Sequence, residues 1–341
     1  MRAGMQSTHD SRITIHAVLA GPILAALLAV AAPPGHAAAP AWKPERAVEL
    51  IALNAPGGGS DRILRIMANV LQERRDLGVP VAVVNKPGGG GSVAFAYLNQ
   101  RPGDGHYLVL SSKAIITNNI VGQGPSFTEF TCLASLFAEY ISVTVRPDSP
   151  IKDGRELIER LKKDPAALSF GIATSLGNFN HLGAAAALKA AGVDLKKVRT
   201  VVFQSGGAAT TAMLGGHIDV VPITAAFGAS LLNNKQVRLL AVTAPGRLPG
   251  ALAEVPTWRE QGYEAVVSNS RSMVGPRGMT EAQVAYWEAA LRRMSESEEW
   301  KKELEANFWS SEFMGGADMR KSLERDNVVL RAFLVDLGLA K

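Results

Sequence analysis

Residues 54–72, NAPGGGSDRILRIMANVLQ, follow directly on the apolar run VELIAL at 48–53. Together they give a strand, a glycine turn and a helix, because Ile63, Leu64, Ile66, Met67, Val70 and Leu71 recur on one face at helical spacing. A junction of this kind presents unpaired backbone N–H groups at a helix start, where the peptide dipoles favour an anion. Which anion, and whether it is transformed or only held, depends on what else the chain brings to that end of the sheet.

The alternation continues outward. Strands are expected at 79–85, 106–112 and 140–146, with a helix at 92–100. A second set follows, with helices at 154–164, 180–191, 207–216 and around AFGASLLNN. Its strands are LSFGIA, VRTVVF, IDVVPIT and 237–244. Helices between strands imply parallel, doubly wound α/β sheets covered on both faces. An extended run AVVSNSRSMVG and charged helices at 280–307 and 317–337 are left over. This suggests one domain built from 44–146 and 243–341, with a second, 147–242, inserted in it. The runs 140–146 and 237–244 would then be the crossings.

Bulk properties narrow the function. The 341 residues carry 36 Lys and Arg against 31 Asp and Glu, with no basic block, so a nucleic-acid partner is not expected. Residues 1–39 read as a leader: Arg2 and Arg12 precede an apolar run, and Ala37 and Ala39 give a small-x-small pattern with cleavage near Ala39. An exported protein is expected, with a membrane-anchoring helix as the alternative. Cys132 is the only cysteine, so no internal disulfide is available, and its apolar neighbours suggest a buried thiol.

The glycine loops fail the tests for nucleotide motifs. PGGGSDR lacks a following Lys-Ser/Thr, and neither it nor KPGGGGS at 86–92 keeps the third glycine of a dinucleotide fingerprint. The second set repeats the theme with hydroxyls and amides in ATSLGNFNH at 173–181 and QSGGAATT at 204–211. Some of these are helix caps. Hydrogen bonds to an ionised group contribute about 1.5–3 kcal/mol each. Four to six of them reach the ~8 kcal/mol of micromolar affinity after closure has taken its share. No G-x-S-x-G elbow occurs, and His106, His181 and His217 are far apart, so no catalytic residue, metal site or cofactor is expected.

The stretches APGGGSDRILR, VNKPGGGGSVAFAYL, GDGHYLVLSS, GNFNHLGAAAA, FQSGGAATTAMLGGHIDV, VRLLAVTAPGRL, EVPTWREQGYE and VGPRGMT resemble the substrate-binding proteins of tripartite tricarboxylate transporters, the Bug family. The resemblance implies two α/β domains of the type II-like periplasmic binding protein kind. They close as a monomer on a small di- or tricarboxylate or aromatic carboxylate, which passes to the membrane permease subunits. A ligand-sensing receptor of the same fold, or a secreted hydrolase, is the alternative.

Carried over by position, Pro56, Gly57, Gly58, Gly59, Ser60 and Asp61 would hold one carboxylate, with Asp61 shaping the loop. Ser111 and Ser112 would line the cleft, and Ser175, Asn178, His181, Gly206, Gly207 and Thr210 would close from the other domain. Asp219 would accept a ligand hydroxyl or ammonium, hold a bridging water, or serve as a turn carboxylate. Arg271 would reach a second carboxylate or form a salt bridge. Ser270 stands where relatives often carry Trp, which would enlarge or wet the cleft.

Overall fold

The computed structural model describes residues 42–74 and 77–340; the expected leader, 1–39, and its cleavage point near Ala39 lie outside them. The chain begins with β1 (Val48–Ala52), α1 (Gly59–Glu73), β2 (Val81–Asn85), a 3-10 turn at Gly89–Gly91, α2 (Ser92–Asn99), β3 (Tyr107–Ser111) and α3 (Ala114–Ile120). The long strand β4 (Thr131–Val145) comes next. The second set is α4 (Gly154–Lys163), β5 (Ser169–Ala173), α5 (Phe179–Ala190), β6 (Arg199–Phe203), α6 (Gly206–Leu214), β7 (Val221–Thr224), α7 (Ala225–Asn233) and β8 (Arg238–Val242). The chain ends with β9 (Ser268–Gly275), α8 (Glu281–Ser295), α9 (Glu298–Ala306), β10 (Ser310–Gly315) and α10 (Gly316–Asp336).

One sheet runs β2-β1-β3-β9-β4-β10. Its β1 pairs in parallel with β2 and β3, while β9 runs antiparallel to both β3 and β4. The far half of β4 leaves this sheet and pairs antiparallel with β7 and β8. There β5 pairs in parallel with β6 and touches the strand β7 side through a Phe170–Val220 bridge. A single 15-residue strand therefore serves both sheets.

That strand starts nine residues before the expected extended run at 140. Residues 132–145 are buried on both faces, so the period-2 alternation that marks a half-exposed strand is missing. The short helix α3 and the strand β10, which lies between two charged helices, were likewise not expected from the sequence.

Apolar burial follows the two sheets. Leu50, Leu64, Met67, Phe137, Trp287 and Trp300 form one cluster, from β1, β4 and the helices α1, α8 and α9. Val143, Leu157, Ile158, Phe170 and Trp258 belong to another. Trp258 and Ala265, expected with the first set, pack in the second cluster. In α4 the reason for helix is local: Asp153 Oδ1 accepts the Glu156 amide at 2.8 Å as an N-cap. Leu157, Ile158 and Leu161 then fall on one buried face, each contributing about 1.5–3 kcal/mol by leaving water. Cys132 is a buried free thiol whose pKa is pushed up by that burial. Among the described residues, no helix is long and apolar enough to cross a membrane.

Candidate functional site

At the end of β1 the first glycine loop folds back on itself. The Gly57 amide donates to Asp61 Oδ2 at 2.8 Å, Gly58 to the Ala55 carbonyl at 3.0 Å, and Ser60 to Asn54 Oδ1 at 3.0 Å. Asp61 is buried and also accepts from Arg65 Nε at 3.0 Å and Asn85 Nδ2 at 2.9 Å. The Arg65 guanidinium, helped by the Gly57 amide and Asn85, holds its carboxyl pKa down to about 2 against the opposing effect of burial. Asp61 thus shapes the loop. The amides of Gly57, Gly58 and Ser60 are satisfied inside it.

The second loop is different. Gly88, Gly89, Gly90 and Gly91 all have positive φ, at 129°, 54°, 62° and 108°, a run that only glycine adopts without strain. Among the described residues the amides of Gly88, Gly89 and Gly90 have no acceptor, and successive amides in such a turn form an anion-binding concavity. Asn118 Nδ2 fixes the turn by donating to the Gly90 carbonyl at 2.8 Å.

Both loops border a cleft of about 440 Å³. Leu53, Asn54 and Ala55 represent the first loop there, and Gly88, Gly90 and Gly91 the second; Pro56, Gly57, Gly58, Gly59, Ser60 and Asp61 are not part of the lining. Ser112 lines it from the end of β3, with its Oγ accepting the Ala114 amide at 3.2 Å. Ser111 is buried beside it and donates to the Ser112 carbonyl. Facing these are Thr174, Ser175, Asn178, Phe179 and Asn180 at the start of α5, and Thr224 at the start of α7.

Thr174 holds φ at 62°, an outlier for a β-branched residue. Its amide donates to the Phe203 carbonyl at 2.7 Å, and its Oγ1 accepts from Asn178 Nδ2 at 3.0 Å. Asn178 also donates to the Ala173 carbonyl and caps α5 by accepting the His181 amide at 2.9 Å. Asn178 is therefore fully engaged in holding the turn. Past the cap, the Phe179 and Asn180 amides have no acceptor among the described residues.

Five further residues expected at the ligand, all from the second set, also lie away from the cleft lining. His181 is buried, its Nδ1 accepts the Gly177 amide at 3.0 Å, and burial pushes its pKa down to about 4. Gly206 and Gly207 open α6, where Ser205 Oγ caps the Ala208 amide at 3.2 Å. Thr210 is buried on α6, and its hydroxyl has no partner among the described residues. Asp219 accepts from the amide and hydroxyl of Ser169, both at 2.7 Å, so its turn-carboxylate role is the one seen.

Arg271 does line the cleft, with two residues the sequence reading missed. Its Nη2 sits 2.5 Å from Glu139 Oε1, which also accepts from Asn269 Nδ2 at 2.8 Å. Arg271 Nε is buried with no acceptor among the described residues, leaving one charged donor in reserve. Ser270 points to the opposite face of β9 and donates to Glu312 Oε2 at 2.8 Å, so a side chain there does not shape this cleft. Among the described residues lining the cleft there is no His, Cys or Lys. The site offers amides, hydroxyls and one arginine whose charge is shared with Glu139, a set in which the neutral donors favour an anion.

A family profile described as tripartite tricarboxylate transporter family receptor matches residues 51–328. The UPF0065 protein in the gbd 5' region of Cupriavidus necator is 25% identical over 319 residues, 93% of this chain and 94% of that protein. The solved periplasmic binding protein BugD superposes with a TM-score of 0.74 at 22% identity, covering 87% of this chain and 99% of that one. An R. palustris protein solved with adipate gives a TM-score of 0.76 at 22% identity, covering 87% and 99%. The fold is that of type II-like periplasmic binding proteins. With the receptor profile matched over most of its length, the chain belongs to the tripartite tricarboxylate transporter receptor family.

Proposed function

We propose that this protein is an exported, periplasmic receptor. It captures a small organic carboxylate between two lobes and presents it to the permease subunits of a tripartite transporter, without chemical turnover. One observation carries the reading. The unpaired amides of Gly88 and Gly90 and those at the start of α5 border the same cleft as Arg271, whose Nε lacks an acceptor among the described residues. Each bond from such a donor to a carboxylate contributes about 1.5–3 kcal/mol, enough in combination for micromolar binding. The receptor family and the adipate named with one neighbour support the same reading. The lobes would be 44–146 with 243–341, and 147–242, with the segment around Trp258 and Ala265 packing against the second, bending where β4 meets the end of β8.

The test is mass spectrometry of what denaturation releases from the purified protein, followed by a thermal-shift panel of organic acids. A carboxylate present at a hundredfold excess over its Kd is expected to stabilise the fold by about 2.7 kcal/mol, unchanged after prolonged incubation. Conversion of a bound acid would replace the receptor with an enzyme. A panel with no carboxylate response would remove the reading. Co-purification with a permease tests delivery.

A further inference from the structure

Beside the polar cleft lies a second cavity of about 190 Å³. The linings of the two share Ala114, Thr117 and Phe179, so the spaces adjoin. The lining of the second cavity is mostly apolar, with Leu182 from α5, Val266 from the chain ahead of β9, and Leu330 and Phe333 from α10. At the ~30 Å³ that one water occupies in the liquid, it holds a body of roughly six heavy atoms.

The charges around both spaces are already matched. In the polar cleft the charged residues are Arg271 and Glu139, paired at 2.5 Å. In the apolar cavity they are Lys113 and Asp326, paired at 3.2 Å with 18% and 25% of their side chains exposed. Two cations face two carboxylates, so neither space has a free counter-charge. Attraction for an anion comes from the unpaired amides at 88–90 and at the start of α5, and from Arg271 Nε. That set suits one carboxylate. A second carboxylate extending into the neighbouring cavity would lose its water among Leu182, Leu330 and Phe333 and meet Lys113 only with its charge already taken by Asp326.

We propose that the ligand is a monocarboxylate with an apolar body. Its carboxylate sits in the polar cleft, and its aliphatic or aromatic body fills the cavity between α3, α5 and α10. This rests on the receptor reading and names its substrate class. It also separates this chain from a receptor whose ligand needs a charge at each end.

Hexanoate and adipate test it directly, because they have the same six carbons and differ by one carboxylate. By titration calorimetry on the full chain, hexanoate is expected to bind at least tenfold more tightly than adipate. Val266→Trp, at a position 36% exposed, is expected to weaken hexanoate at least tenfold without lowering the melting temperature of the free protein. Adipate binding as tightly as hexanoate, or hexanoate binding indifferent to Val266→Trp, would overturn the proposal while leaving a carboxylate receptor standing. Failure of both acids while di- or tricarboxylates in the panel bind would overturn it as well, whereas an aromatic monocarboxylate binding in place of hexanoate would support it. Silence across the whole panel would remove the receptor reading itself.

Discussion

A Cβ placed on Gly90 would lie 2.9 Å from Asn118 Nδ2, and its φ of 62° is one an alanine adopts only with strain. Gly90→Ala therefore meets two obstacles at once. The left-handed backbone costs about 1–2 kcal/mol, and Asn118 must withdraw from the Gly90 carbonyl it holds. The expected outcome is a fold weakened by about that amount in urea titration, together with loss of the ligand-induced thermal shift. A variant with normal binding would show that the amides at 88–90 do not hold the anion. At this scale the sequence was a partial guide. The glycine loops were legible because only glycine tolerates such turns. Which loop keeps its amides free was not, since it depends on Asn54 and Asp61 satisfying the first loop from within. Glu139 was invisible for another reason: one acidic residue inside an apolar run does not reveal which face of the strand it occupies.

Among the elements, α5 shows how one helix start divides its residues between binding and packing. Thr174, Ser175 and Asn180 face the cleft, while His181, one residue further on, turns into the core beside Phe170 and Leu188. The Gly177 amide requires an unprotonated Nδ1 there, and burial lowers the pKa from 6.5 to about 4. The unfolded chain accepts a proton near pH 6.5 that the folded chain refuses until about pH 4. Stability from this group is complete above pH 6.5 and is lost as pH falls toward 4, by about 3 kcal/mol in total. Denaturant titration between pH 7 and 4.5 should show this fall in the parent. In His181→Gln, whose amide oxygen can still accept the Gly177 N–H, the fall should be shallower by most of that amount. Equal slopes would mean other groups set the acid sensitivity. The elements themselves were largely legible wherever one face is wet, as in α1 and α4. They were illegible where burial erases the period, as at residues 131–139, or where a short edge strand such as β10 is half polar.

For the molecule as a whole, the two runs expected to cross between lobes do touch, with β8 paired along the far half of β4. Thr243 joins them to the chain leading into β9. Fully buried, its Oγ1 accepts the Ile141 amide at 3.0 Å and donates to the Val267 carbonyl at 2.7 Å. Its backbone adds bonds between its own amide and the Ile141 carbonyl, and between the Val267 amide and its own carbonyl. The helix α10 also touches residues from both proposed lobes. Arg320 donates to the Phe127 and Phe130 carbonyls, and Asp336 pairs with Lys189 of α5 at 2.6 Å. If the lobes bend about the β4–β8 contact, Thr243 sits on the axis, where a hydrogen bond can persist while distant parts move. Thr243→Val keeps the shape and removes only the hydroxyl, leaving the buried Ile141 amide and Val267 carbonyl each short of one partner. The expected cost is about 1–3 kcal/mol, with faster hydrogen exchange at Ile141 in the free protein and slower exchange there once ligand has closed the cleft. Exchange at Ile141 that ignores the ligand in both parent and variant would place the axis of motion elsewhere.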